Sequence, residues 1–166
     1  MDDSDDLRKI VGDVLWLTKS GSVDLTKFPI DATLRQALAV NWGEYRDGLS
    51  TLRSMHSRGR QEAGVFLLGL LVSSDHDWQK KTEIAEALWG YRTRACADLL
   101  LGEIKRVKNS NTTRRYLDSV IKTLAYMPQD LVRPGLLALI ADTTLSRRTR
   151  EKLDDALWEA SRGGAY

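Results

Sequence analysis

Cysteine is nearly absent from this chain: the one residue, Cys96, cannot form an internal disulfide, so no bridge framework staples the fold. Flanked by Ala95 and Ala97 in an apolar-periodic stretch, Cys96 reads as a small buried core residue. Histidine is equally scarce, with only His56 and His76. Asp75-His76-Asp77 has the look of a ligand fragment, but nothing completes it, and it reads as a polar inter-helix turn rather than a metal site. Proline is confined to Pro29, Pro128 and Pro134, which favours helices over strands. Long apolar runs are missing as well: the longest, residues 64–73, is about half of the ~20 residues a membrane span needs. The acidic start Asp2-Asp3-Ser4-Asp5-Asp6 is the opposite of a basic signal-peptide region. A cytoplasmic protein that neither spans a membrane nor carries a cleaved signal is therefore expected.

Chemistry-bearing motifs are missing too. There is no G-x-S-x-G elbow, no G-x-x-x-x-G-K-[ST] loop and no G-x-G-x-x-G turn. Asp98 and Glu103 lie five apart on one helix and cannot face each other as a carboxylate pair. No catalytic residue, metal ligand or cofactor is expected, and the chain reads as a non-enzyme. Charge of one sign is also lacking, because the net charge is only +2. It is unevenly spread, however: residues 101–166 carry 12 Lys and Arg against 8 Asp and Glu, which hints at an acidic partner.

What is present is helical periodicity. With 42% hydrophobic and 29% charged residues, the chain can bury a core of its own. Leu7, Ile10, Val11, Val14 and Leu17 predict a helix over 5–17, with aspartates at its positive end. Asp31 is expected to cap a helix running to about Val40, and another is expected over 44–56. Beyond Gly59 the pattern becomes regular, with helices expected at about 61–73, 77–90, 93–108, 112–126, 130–141 and 146–161. Links of only a few residues make consecutive helices antiparallel neighbours.

These helices also repeat. Glu86-Ala87-Leu88-Trp89, Lys122-Thr123-Leu124-Ala125 and Asp155-Ala156-Leu157-Trp158 recur at spacings of 36 and 33 residues, each preceded by a leucine-rich partner helix. Pro134, Asp142 and Arg148 fall at steps of eight and six, Asn109 and Arg115 repeat the step of six, and Asp75 and Lys81 fit it only with an indel. On these residues the chain resembles the HEAT-repeat family. The resemblance implies an all-α, short right-handed α-solenoid of helical hairpins. Three repeats would occupy about 59–91, 92–127 and 128–162, after an N-terminal helical cap over 1–58 with a weaker unit at about 31–58, and before a short tail over 163–166. It further implies that Asn109, Arg115, Asp142 and Arg148 form a structural ladder between repeats, and that Trp89 and Trp158 pack between them.

Small solenoids of this kind serve as protein-interaction or scaffold modules, and that is the expected function. The candidate surface is a basic edge formed by Lys80-Lys81, Arg114-Arg115 and Arg147-Arg148-Thr149-Arg150 at the starts of the second helices. Lys105, Arg106 and Lys108 join it from the end of a first helix. Lys80, Arg114, Arg147, Arg150, Lys105, Arg106 and Lys108 are thus the candidate contacts to an acidic protein or, alternatively, to a nucleic acid. HEAT-like DNA-alkylation glycosylases illustrate that alternative, and HEAT-like bilin lyases a more distant, cofactor-handling one. Trp42 and Trp78, near helix starts, are expected to be partly buried.

Overall fold

The computed structural model describes residues 14–163 apart from Gly21 and Asp75. Among the described residues there are eight α-helices and no strand: α1 (Ile30–Ala37), α2 (Trp42–Ser57), α3 (Gln61–Ser73), α4 (Trp78–Ala87), α5 (Arg94–Arg106), α6 (Arg114–Ala125), α7 (Gln129–Ala141) and α8 (Arg147–Gly163). No described helix is long and apolar enough to cross a membrane. The chain divides into two compact units, residues 1–66 and 67–166, with α3 running across the division.

Most boundaries are set by local chemistry. Asn41 caps α2 by accepting from the Glu44 amide at 3.1 Å, Asp77 caps α4 through the Lys80 amide at 3.0 Å, and Thr93 caps α5 through the Cys96 amide at 3.2 Å. At the far end of α2, Gly59 adopts φ +95°, which lets the Arg60 amide reach back to the Met55 carbonyl at 3.1 Å and its own amide to His56 at 2.9 Å. Each such cap stabilises its helix by about 1 kcal/mol.

Two expectations are corrected in the first unit. Most of the helix predicted over 5–17 lies outside the described residues, but its last four residues are not helical: Leu17 forms an isolated antiparallel bridge with Val23. The Asp24 side chain then turns the chain back by accepting from Thr26. The helix expected from Asp31 to Val40 instead starts after Pro29, takes Asp31 into its first turn and ends at Ala37, leaving Val40 99% exposed. Proline suits that start because its missing amide would have had no partner there. The short α1 packs tightly on α2. A Cβ on Gly48 would lie 2.3 Å from the Ala37 amide nitrogen, so glycine is the residue that lets the two backbones approach. Arg60 secures the preceding loop by donating to the carbonyls of Leu25 and Phe28.

In the second unit, packing follows one rule: α4 packs on α6 and α6 on α8, α5 packs on α7, and the hairpin partners α5–α6 and α7–α8 pack on each other. The contacts fix the directions. Thr123 donates to the Ala85 carbonyl at 3.1 Å, Ser119 to Glu86 at 3.3 Å, and Lys152 pairs with Asp118. Trp78 meets Tyr116 at the starts of α4 and α6 and Trp89 meets Tyr126 at their ends, while one cleft is lined by Asp118 with Lys152 and, further along, by Ala125 with Glu159, so α4, α6 and α8 run parallel. Arg94, opening α5, likewise reaches the carbonyls of Leu131 and Asp130 at the start of α7, at 2.8 and 3.2 Å.

The core lies between these two layers. Ile84, Leu88, Leu100, Ile104, Leu117, Val120, Leu124, Val132, Leu136 and Leu153 are buried, each aliphatic side chain stabilising the fold by roughly 1.5–3 kcal/mol. Cys96 is fully buried among them, and burial pushes its thiol up to about 12, so it is no nucleophile at neutral pH. Counting from the first residue of each helix, Leu88, Leu124 and Leu157 all fall eleventh. That places Gln79, not Lys81, opposite Arg115 and Arg148, and no indel inside the helix is needed.

Candidate functional site

Because α4, α6 and α8 are parallel, their first turns share one edge, and no acidic residue occupies any of these first turns. A basic first turn opposes the helix dipole by roughly 0.3–1 kcal/mol per charge, so stability alone does not account for this arrangement. Arg114, Arg115, Arg147 and Arg148 are exposed there, and Lys80 is half-buried. Arg114 donates to the neutral Asn111 at 3.0 Å, whereas Arg147 is paired with Glu151 at 2.8 Å.

The remaining candidates divide. Lys105 and Lys108 are exposed at the end of α5. Arg150 is half-buried, and its Nε has no hydrogen-bond partner. Lys105 and Arg150 both contribute to holding the Asp142 carboxyl below its ordinary value, after the larger effect of hydrogen bonds from the Thr144 side chain and backbone. Arg106 is committed elsewhere: it grips Glu103 with two guanidinium hydrogen bonds of 2.8 and 3.1 Å.

The expected ladder takes a different form. Asp142 closes a local turn through the Thr144 amide and hydroxyl, at 2.9 and 2.6 Å, while Arg115 and Arg148 point to solvent. Asn109 instead donates to Thr149 at 3.3 Å, joining the start of α8 to the end of the α5–α6 hairpin.

Sequence reasoning missed the most connected buried polar group among the described residues. Lys81 is 1% exposed and so does not belong to the basic edge. Its ammonium lies 3.2 Å from Glu103 and 5.7 and 5.5 Å from the ring centres of Trp78 and Tyr116. Tyr116, fully buried, donates its hydroxyl to the same Glu103 carboxylate. One carboxylate on α5 thereby joins α4 and α6. Burial pushes Glu103 up, but hydrogen bonds from Tyr116, Arg106 and Lys81 outweigh it and hold the carboxyl below its ordinary value. Burial, followed by the neighbouring Glu103, pushes the Tyr116 hydroxyl well above its ordinary range. Trp78 is thus partly buried as a member of this group, and Trp42 is half-buried, stacked on Tyr45 at 5.2 Å.

The opposite edge of the same layer is aromatic. Trp89 and Trp158 are 44% and 56% exposed, with Leu88 beside the first fully buried and Leu157 beside the second half-buried; Trp89 nevertheless touches the neighbouring hairpin through one ring contact. Trp89 meets Tyr126 edge-on at 5.8 Å, and Tyr126 is itself 49% exposed. Clefts lie between the second helices. The α4–α6 cleft, about 400 Å³, is lined at its basic end by Arg114, Arg115 and Asn111. The α6–α8 cleft, about 460 Å³, has Ile121, Ala125 and Ala156 along its floor and Tyr126, Asp155 and Glu159 toward the aromatic end. Among the described residues, no group of three or more His, Cys, Asp or Glu side chains could hold a metal ion.

No protein-family model, curated protein or solved structure matches this chain.

Proposed function

We propose that this chain is a non-catalytic protein-interaction module, a short HEAT-like α-solenoid over residues 59–162 whose α4, α6 and α8 face carries the partner. On this reading an acidic protein surface docks along the basic edge, with Arg114 and Arg115 at its centre. The observation that supports it is the parallel course of the three helices, with basic residues in their first turns set against their own dipoles and no acid there beyond the Asp77 cap of α4. A protein partner fits better than a nucleic acid. Arg147 is engaged by Glu151 and Arg106 by Glu103, which leaves separated cationic stations rather than a continuous track for a phosphate backbone.

The test is fluorescence anisotropy with a labelled deca-glutamate peptide and, in parallel, duplex and single-stranded DNA, each at low and moderate salt. The peptide is expected to bind at low salt and to be lost from an Arg114→Glu/Arg115→Glu variant. DNA binding that is tighter than peptide binding and falls steeply with salt would replace this reading with the nucleic-acid one. Binding of neither probe would remove the basic edge from function.

A further inference from the structure

The basic edge occupies one end of the second helices; their other end has the opposite character. Tyr126 closes α6 beside the α6–α8 cleft, and the last carbonyls of α6 place a negative helix end there. Asp155 and Glu159, one helical turn apart on α8, line the same cleft, are exposed, and form no ion pair or hydrogen bond with another described side chain. Nearer the helix starts, Asp118 and Lys152 pair with each other, which leaves Lys122 as the one other cation among the lining residues against two carboxylates.

The floor is apolar and low for a definite reason. Ala125 on α6 and Ala156 on α8 are the small apolar side chains that line it, together with Ile121. A cavity with an apolar floor, an aromatic wall and unpaired carboxylates at its mouth matches one kind of side chain. It is one with an aliphatic stem and a positive planar head. The molecule itself displays the relevant contact nearby: the Arg162 guanidinium lies 4.4 Å from the ring centre of Trp158 on the same helix.

We propose that the cleft between α6 and α8 is a docking site for an arginine side chain of a partner protein. Its methylenes lie on Ile121, Ala125 and Ala156, and its guanidinium reaches Asp155 and Glu159 beside the Tyr126 ring. The half-exposed Trp89 extends the aromatic wall through its edge-on contact with Tyr126, giving the residues flanking that arginine an apolar ledge. The site rests on the reading of this face as an interaction surface, and it adds polarity. A partner with an acidic patch and an arginine can lie across the second helices in only one direction, which sets register as well as affinity.

The probe is a five-residue acetylated peptide bearing two arginines, titrated into the full chain while backbone amide shifts are followed, with the citrulline counterpart as neutral control. Shifts are expected in residues 121–126 and 155–159 with the arginine peptide and not with the citrulline one. An Asp155→Asn/Glu159→Gln variant, altered only at exposed positions, is expected to bind about tenfold more weakly, and Tyr126→Leu several-fold more weakly. Ala125→Leu, which fills the cleft, should abolish the response.

Equal response to citrulline, or arginine binding unaffected by the double neutral variant, overturns the proposal. Arg114→Glu/Arg115→Glu separates the two readings, because it should abolish deca-glutamate binding and leave the arginine peptide bound. Loss of deca-glutamate binding in the wild-type chain, with the arginine response retained, sinks the basic-edge reading alone.

Discussion

The α1–α2 hairpin and the α4–α5–α6 group bring helices together by opposite means. In the hairpin the contact is made by removing a side chain: Gly48 allows the Ala37 backbone to lie where a Cβ would otherwise stand. In the α4–α5–α6 group the contact is made by burying polar ones, with Glu103 accepting from Lys81, Tyr116 and Arg106. The first arrangement depends on shape alone and tolerates no added atom. The second depends on complete satisfaction, because each buried charge is stable only while the other is present. The hairpin contact should therefore be sensitive to volume, and the polar group to pH.

The largest expected effect is at Glu103. Glu103→Ala leaves the Lys81 ammonium buried without its carboxylate and should cost about 3–5 kcal/mol in urea unfolding. Replacing both charges, as Lys81→Met with Glu103→Leu, should recover most of that loss, since an apolar pair of similar volume suits the site. The wild-type pH dependence carries the same information. The folded-state pKa of Glu103 is depressed below its ordinary 4.5, so its contribution is present above that value and is lost as pH falls through the folded-state pKa. Glu103→Gln should flatten that acid limb. An acid limb unchanged by Glu103→Gln would show that the carboxylate is not the group joining these helices.

Gly48 gives the next largest effect, and Gly102 supplies its control. Ala is the better helix former by about 1 kcal/mol, so an interior glycine with open surroundings should gain from the exchange. Gly102, in α5, has nothing within 4 Å of its would-be Cβ, and Gly102→Ala should stabilise by about 0.5–1 kcal/mol. Gly48→Ala should instead destabilise by about 2–3 kcal/mol, because the clash is with backbone and cannot be relieved by a rotamer change. Amide exchange should locate the loss in α1 and α2. A stabilising Gly48→Ala would mean that the two helices do not approach as closely as described.

How much of this was legible in the sequence follows the range of the forces involved. Leu117, Val120, Ile121 and Leu124 announce α6 because local amphipathicity and burial agree there. Pro29 misplaced the start of α1, since an Asp two residues on looks like a better cap than a proline does. The polar group around Glu103 left a signal that went unread. Lys81 falls in line with Ile84 and Leu88, at steps of three and four, and Glu103 in line with Cys96 and Leu100, so both charged residues occupy apolar-face positions. Their pairing could not be read, because it depends on how α4 and α5 approach each other, which no local pattern encodes. The same limit applied to Trp89 and Trp158. Both recur beside a leucine, fully buried at Leu88 and half-buried at Leu157, and one residue of rotation separates the interior from solvent.

The smallest loss is expected at Arg94, where a long-range hydrogen bond compensates for a local defect. Pro134 lies inside α7, has no amide hydrogen and leaves the carbonyl four residues back, that of Asp130, without its helical donor. Arg94 donates to that carbonyl and to the next, that of Leu131. The guanidinium thus supplies from α5 what the proline removes from α7, which ties the beginnings of the two helices together. Arg94→Ala should cost about 1–2 kcal/mol, the loss expected for charge-assisted hydrogen bonds. In a Pro134→Ala background the helix satisfies Asp130 by itself, and the same change should cost less. A double-mutant cycle should show a coupling of about 1 kcal/mol between positions 94 and 134, which do not need to touch for this to hold. Additive losses would mean that Arg94 stabilises the α5–α7 contact independently of the proline, and the pairing of defect and donor would then be coincidental.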